Sequence, residues 1–460
     1  MSNFWDFSVW GTVNLAGALI VSMLIANMIK RSLPLLKNSL IPTSVLGGLL
    51  LLVISIVYEA ITGELFFDSA VFGGQGIATL EVITYHSLAL GFIASAFRPA
   101  KGTMTKQRTA EIFNTGVTTV STYLIQGIVG MAVTIIASFV IKDFFQAAGV
   151  LLPFGFGQGT GQALNYGTIY ETEFGFDGGK SFGLTVAAVG FLVASIGGVI
   201  HLNIVQKRFD IKSNYTECGP AMSISDIQGE DEIPMNGSLD KISIQMAFIM
   251  GAYLLSYAAM FFLGNLIPGF KAVIYGFNFL FGVLMATIMS AIVEMLRKKK
   301  IVHRQYINTF LMTRISGFFF DVMIVAGIAA IRINRLEEFA GVLIILCTLG
   351  ALVTYFYIRF VCHKLFPAYA EEQFLGMFGM LTGTASTGII LLREVDRNLK
   401  SPVSDNMVYQ NLPAIVFGFP IMILATLAPV KPYLVLIILV LFFIVMNIIL
   451  FRSLIFGKKK

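Results

Sequence analysis

Residues 144–173 read FFQAAGVLLPFGFGQGTGQALNYGTIYETE, and residues 365–396 read LFPAYAEEQFLGMFGMLTGTASTGIILLREVD. Both are partly apolar and broken at mid-length by Gly, Thr, Ser and Gln. The breaks are Gly155-Phe-Gly-Gln-Gly159-Thr160-Gly161 in the first and Gly379-Met-Leu-Thr-Gly383-Thr384-Ala385 in the second. In hydrocarbon every backbone polar group must be satisfied internally, so a glycine-rich break at membrane depth survives only where protein surrounds it or it lines a cavity. Each stretch therefore predicts helix, turn, helix: a re-entrant hairpin that enters the bilayer and returns to the side it came from.

What flanks these stretches is hydrocarbon-facing sequence. Of the 460 residues 56% are hydrophobic and 13% charged, about half the charged share of an ordinary globular domain, which excludes a water-soluble protein. A spanning helix needs about 20 mostly apolar residues. Eleven stretches qualify: 9–28, 44–60, 80–97, 116–141, 181–203, 242–263, 270–296, 307–331, 339–362, 407–430 and 433–451. The first is long enough to span and has no basic region before it, so it predicts a retained helix rather than a cleaved signal. The sequence thus predicts an all-α polytopic membrane protein.

The net charge of +6 comes from short basic clusters beside apolar runs, a pattern of membrane orientation and not of nucleic-acid binding. With both hairpins re-entrant, only Lys142, Lys180, Lys271, Arg332, Arg335 and Lys431 oppose the basic majority. The positive-inside rule then puts the N-terminus outside and the C-terminus in the cytoplasm, with the first hairpin entering from outside and the second from within. Counting either hairpin as a crossing scatters the basic loops over both sides.

Five helices and one hairpin precede the hydrophilic stretch 206–240, and five helices and one hairpin follow it. An odd number of crossings turns the second half upside down, the inverted-repeat plan of secondary transporters. The expected organisation is a first repeat over 1–205, a flexible cytoplasmic linker over 206–240, a second repeat over 241–430, and an additional helix with a basic tail over 431–460. Asn214-Tyr-Thr and Asn236-Gly-Ser in the linker are chance matches to a glycosylation triplet.

The candidate substrate site is the pair of hairpin tips: Gln158, Gly159, Thr160, Gly161 and Gln162, and Thr382, Gly383, Thr384, Ser386, Thr387 and Gly388. Glycine permits close backbone approach, half-helix N-termini carry partial positive charge suited to a carboxylate, and hydroxyls with freed carbonyls replace water around Na+. Small-residue helix packing is the plainer account of one such stretch and a weaker one for two at equivalent positions. Arg393, beyond the second tip, is either a bidentate clamp for a substrate carboxylate or an interfacial arginine paired with Glu394 or Asp396. Asp321 stands inside the eighth apolar stretch, where a carboxylate is costly; it is a cation ligand with Thr160 and Thr384, or a partner of Arg314 or Arg332. His86 and Asn278 are lone intramembrane polar groups, expected to be satisfied by packing.

No enzyme signature accompanies them. The first tip lacks the Lys-Ser/Thr of a P-loop, three cysteines (Cys218, Cys347, Cys362) have no CxxC spacing, and four histidines, at 86, 201, 303 and 363, lie on different segments.

Phe156-Gly-Gln-Gly-Thr-Gly-Gln-Ala163, followed by Tyr170-Glu and a Gly/Ala-rich helix, resembles the first hairpin of the bacterial glutamate:sodium symporter family, which typically reads Gly-Gly-His-Gly-Thr-Gly-Ala-Ala. The resemblance extends more weakly over both halves to about Val430. It implies a dimeric, Na+-coupled carrier of glutamate, or a related anionic or zwitterionic substrate, in a bacterial inner membrane, with the hairpins in a core that shifts as an elevator. Gln158 stands at the family's histidine position, and Gly383-Thr-Ala-Ser-Thr-Gly388 departs from its usual second tip. A di- or tricarboxylate carrier of similar architecture is the alternative within transport; a channel or membrane sensor with paired hairpins is the alternative outside it.

Overall fold

A computed structural model describes residues 3–37, 40–97, 105–209, 232, 239–396 and 401–455. The expected linker lies outside the described residues except for 206–209, 232, 239 and 240, as do Asn214, Cys218 and Asn236. The structure is 86% helical, with no strand among the described residues. Among the described residues ten helices are long and apolar enough to cross a membrane, and a bent pair supplies an eleventh candidate. The chain is an all-α polytopic membrane protein.

The first half contains α1 (Phe7–Ser32), α2 (Thr43–Thr62), α3 (Gly76–Ala96), α4 (Lys106–Val140), α5 (Leu151–Phe174) and α6 (Gly179–Phe209). The second contains α7 (Lys241–Leu266), α8 (Asn278–Lys298), α9 (Thr309–Ala329), α10 (Ala340–Leu365), α11 (Ala370–Thr382) and α12 (Ala385–Val395). It ends in α13 (Val403–Tyr409), α14 (Asn411–Leu427) and α15 (Pro432–Leu450).

Boundaries follow local chemistry. The Thr105 hydroxyl accepts from the Arg108 amide, which starts α4 ten residues before its apolar run, and the Asp240 carboxylate caps α7 at the Ile242 amide. The stretch 270–296 is not one helix: Phe277 (φ −94°, ψ 22°) separates a short helix, Lys271–Gly276, from α8. The tenth apolar stretch is bent by 50° between α13 and the rest of α14, where Pro413 lacks the N–H that would continue the ladder.

The chain divides into two compact units. One comprises Met1–Glu81, Thr103–Ser213 and Ile324–Lys460; the other comprises Val82–Gly102 and Asn214–Met323. Each takes segments from both sequence halves. In the second unit, Ile93, Phe97, Ile249, Ala252, Ala286 and Met312 form the core. His86 Nδ1 meets the Tyr253 hydroxyl at 2.6 Å, and the Asn278 amide donates to the Tyr85 carbonyl at 3.1 Å, while the buried Asn278 Oδ1 accepts nothing. Lys241 is 1% exposed and pairs at 2.7 Å with Glu232, which anchors one point of the expected linker.

The first unit carries both hairpins. Its core includes Leu202, Ile358, Phe374, Phe378, Leu381 and Leu391. The final helix packs on α4: Tyr357 of α10 donates to Asn447 at 2.8 Å, and Arg452, just past α15, donates to Asn114 at 3.0 Å.

Candidate functional site at the hairpin tips

Phe154 and Tyr166 are twelve residues apart, which in an unbroken helix places them about 18 Å apart along the axis. Their rings instead stack at 4.0 Å, with planes 1° from parallel. The chain therefore folds back between them, at Gly159, whose φ of 76° and ψ of −169° lie in a region essentially reserved for glycine. The returning arm is fixed to α14 by Tyr166, which donates to the Met422 carbonyl at 3.0 Å, and Tyr170, which donates to the Ala425 carbonyl at 2.7 Å.

The second segment folds back as well. A Cβ on Gly379 of α11 would lie 2.7 Å from the Gly388 Cα of α12, and one on Gly388 would strike the Gly376 carbonyl. The two arms touch backbone to backbone because those positions carry no side chain. Between them Gly383 (φ −143°, ψ −107°) leaves the helix, Thr384 is extended, and the Thr384 carbonyl accepts from the Gly388 amide at 3.0 Å.

Two helices bring the tips together. On α4, the Tyr123 hydroxyl donates to the Gly157 carbonyl at 3.1 Å, and one turn along Gln126 Nε2 donates to the Leu381 carbonyl at 3.0 Å and to Thr354 at 2.9 Å. On α6, a Cβ at Gly190 would meet both Phe156, at 2.9 Å, and the Thr382 carbonyl, at 2.5 Å. Residues 156–157 of the first hairpin and 381–382 of the second thus rest on the same short stretches of α4 and α6. Thr160 is buried with its Cβ against Gly327 of α9.

Two side-chain atoms here lack a protein partner. Gln162 is 1% exposed, and its Nε2 donates to nothing; Gln126 is fully buried, and its Oε1 accepts nothing. A buried polar atom left unpaired costs about 1–3 kcal/mol, so two beside the converging tips call for a functional account. The surroundings are uncharged: residues 112–140, 151–170 and 373–392 contain no Asp, Glu, Lys, Arg or His. A molecule or ion held here is held by amides, hydroxyls and backbone.

Of the expected site residues, Gln158, Gly159, Thr160, Gly161 and Gln162 share the first tip, and Thr382, Gly383 and Thr384 share the second. Thr387 and Gly388 are buried one turn beyond, while Ser386 is exposed. Arg393 is exposed and lies nine residues past Thr384, about 14 Å along α12, which leaves it at the far end from the tip. Asp321 is in the other unit, with an exposed side chain.

No family model matches the chain, and no curated protein is significantly similar to it.

The α4 contribution was not anticipated. Thr115, Thr118, Thr119, Thr122 and Gln126 recur at helical spacing within an apolar stretch and are all buried. Thr115 accepts from Gln373 of α11 at 3.2 Å, so this stripe runs alongside the second hairpin. Its signal was present in the sequence as hydroxyls at i, i+3, i+4 and i+7. A surface cavity of about 360 Å³ lies at the other end of α4, lined by Arg108, Glu111 and Asp405. Arg108 there is already engaged by Glu111 at 3.5 Å and Asp405 at 3.4 Å, and the cavity is remote from the tips.

Proposed function

We propose that the chain is a secondary active transporter that moves a small polar substrate, anionic or zwitterionic like glutamate, with a coupling cation, Na+ being the first choice. The observation that carries this reading is the convergence of two hairpins, one from each sequence half, on one uncharged, buried patch with two unpaired amide atoms. Transporters with inverted repeats place substrate and ions at such interrupted helices. In this reading the first turns of the returning arms, beginning at Thr160 and Ala385, offer the partial positive charge of a helix N-terminus to a bound carboxylate. Thr160 and Thr384 hydroxyls and the carbonyls freed at each break are the oxygen ligands proposed for Na+; in the second unit Asp321 is the carboxylate proposed for a cation or proton.

The absence of a cationic side chain among the residues around the tips favours an amino acid, whose own ammonium group offsets one carboxylate, over a di- or tricarboxylate without one, whose charges need counter-charges at close range. With this reading go the inverted repeats, an elevator movement of the hairpin-bearing region, a homodimer, and a bacterial inner membrane with the N-terminus outside and the C-terminus cytoplasmic.

Uptake by purified protein in liposomes tests it. Saturable glutamate uptake that collapses when the Na+ gradient is removed supports symport. Flux that neither saturates nor needs a gradient supports a channel and sinks the proposal.

A further inference from the structure

Two of the four histidines that are scattered in the sequence meet on one carboxylate in the first unit. His201 of α6 is fully buried; its Nε2 lies 2.8 Å from Glu371 Oε2, and its Nδ1 lies 2.9 Å from the Tyr355 hydroxyl. Arg359 donates to the same hydroxyl at 2.9 Å. The other carboxylate oxygen faces His363 at 3.5 Å, a ring whose side chain is 44% exposed. Phe374 tilts over His201 at 4.2 Å and shields it from water. Among the described residues no three His, Cys, Asp or Glu are placed to hold a metal; the two imidazoles occupy different carboxylate oxygens.

These contacts form a directional chain. With Glu371 ionised, His201 donates from Nε2, so a neutral imidazole has a lone pair at Nδ1 to accept the Tyr355 O–H, and Tyr355 in turn accepts from Arg359. The titratable groups that touch His201 are Tyr355 of α10 and Glu371 of α11; Arg359 bonds the Tyr355 hydroxyl, and His363 and Cys362 of α10 act on Glu371. The hydrogen bond from His201 is the main reason the Glu371 carboxyl sits below its ordinary range, against the opposing effect of burial. Glu371 opens α11, the first arm of the second hairpin, and α6 runs antiparallel to it: His201 meets Glu371 at one end, Gly197 packs on Phe378, and Gly190 packs on the Thr382 carbonyl at the other.

We propose that His201 is a proton-binding site whose occupancy fastens the outer end of the second hairpin to α6. The Tyr355 O–H passes its proton to Nδ1, and the Tyr355 oxygen takes a replacement from solvent, so one proton is bound and Glu371 stays ionised. The hydrogen bond to the ionised Glu371 then gains the attraction of a full positive charge on the buried imidazolium. Acid pH holds the hairpin in place; alkaline pH frees it. The proposed link to transport rests on the tip site described above, but the proton site does not.

The test therefore uses thermal unfolding of the purified full chain, with no substrate, between about pH 5 and 8, the range in which imidazole exchanges its proton. Wild type is compared with His201→Gln, which keeps one donor and one acceptor and takes up no proton. A group that binds a proton more tightly folded than unfolded adds stability as pH falls. The expected result is a wild-type midpoint that rises toward acid relative to His201→Gln, with Glu371→Gln abolishing the gain. Parallel profiles, or a wild type that loses ground in acid, overturn the proposal. If His201→Gln does not fold, Glu371→Gln is read beside His363→Gln, because His363 pairs with the same carboxylate: a gain lost with Glu371→Gln and kept in His363→Gln supports His201, while a gain lost with His363→Gln, or a Glu371→Gln profile parallel to wild type, overturns the proposal. Uptake that is inactive under every condition, alongside the expected thermal result, refutes the transport reading and leaves the proton site standing.

Discussion

Gly190→Ala separates a converged tip site from two unrelated hairpins. The added methyl would sit 2.5 Å from the Thr382 carbonyl oxygen and 2.9 Å from the Phe156 ring, both inside normal contact distance, and the first is backbone that cannot swing aside. One of the two hairpins must move away from α6. Overpacking of this kind costs about 1–3 kcal/mol, while alanine in place of a mid-helix glycine returns about 1 kcal/mol. Fold stability therefore falls by no more than about 2 kcal/mol, whereas a site shared between the hairpins loses its geometry. Each 1.4 kcal/mol of lost binding is about tenfold in affinity, so Na+-driven glutamate uptake should show a KM raised at least about tenfold with expression retained. Gly127→Ala is the control, one residue from Gln126: its methyl meets only Leu439 at 3.6 Å and Pro153 at 3.8 Å, ordinary contacts. Gly190→Ala with wild-type KM, or Gly127→Ala with the same defect, refutes the claim that the tips work as one site.

Gly159→Ala forces a side chain into a backbone conformation reserved for glycine, at a cost of about 1–3 kcal/mol, and should lower both the unfolding midpoint and uptake. Thr160→Val and Thr384→Val keep shape and remove a hydroxyl, so substrate or Na+ binding, followed by titration calorimetry, should weaken about tenfold with normal expression and dimer formation; unchanged transport in both makes the hairpins structural. Gln162→Met removes an unpaired buried donor and should raise the unfolding midpoint by about 2–4 °C per kcal/mol gained while reducing uptake; a fall in both measurements counts against a ligand-facing amide. Arg393→Gln, at the exposed far end of α12, should leave KM within about twofold, and a large rise restores the carboxylate clamp to consideration.

The spans were readable because hydrocarbon imposes a length and a composition that few other constraints imitate, and all eleven apolar stretches correspond to helices or to the α13–α14 pair. Where boundaries moved, local chemistry outweighed hydropathy: α4 extends ten residues past its apolar run because Thr105 caps a polar first turn, and α8 starts late because Phe277 leaves the helix. The hairpin breaks were readable for the complementary reason that glycine and threonine at mid-length are expensive in lipid. Which residues those hairpins touch was much less accessible. Gln126 reaches Leu381 across 255 positions and His201 reaches Glu371 across 170, and neither pairing leaves a periodic trace in the chain.

That asymmetry also separates the charged candidates from the small ones. Glycine and threonine are informative where they stand, since a break must be at the break, and the tips fell where the sequence put them. A charge is informative only with its surroundings. Arg393 follows the second tip closely in sequence, but at about 1.5 Å per residue nine helical positions carry it some 14 Å away. The histidines are far apart in sequence, yet antiparallel packing of α6 on α11 through Gly190 and Gly197 brings His201 to Glu371. The same helix that seats both hairpin tips near its middle, at Gly190, holds the buried His201–Glu371 pair three turns further along. A displacement of the second hairpin along α6 would break or remake that pair, and this would connect the proposed protonation site to the proposed tip site.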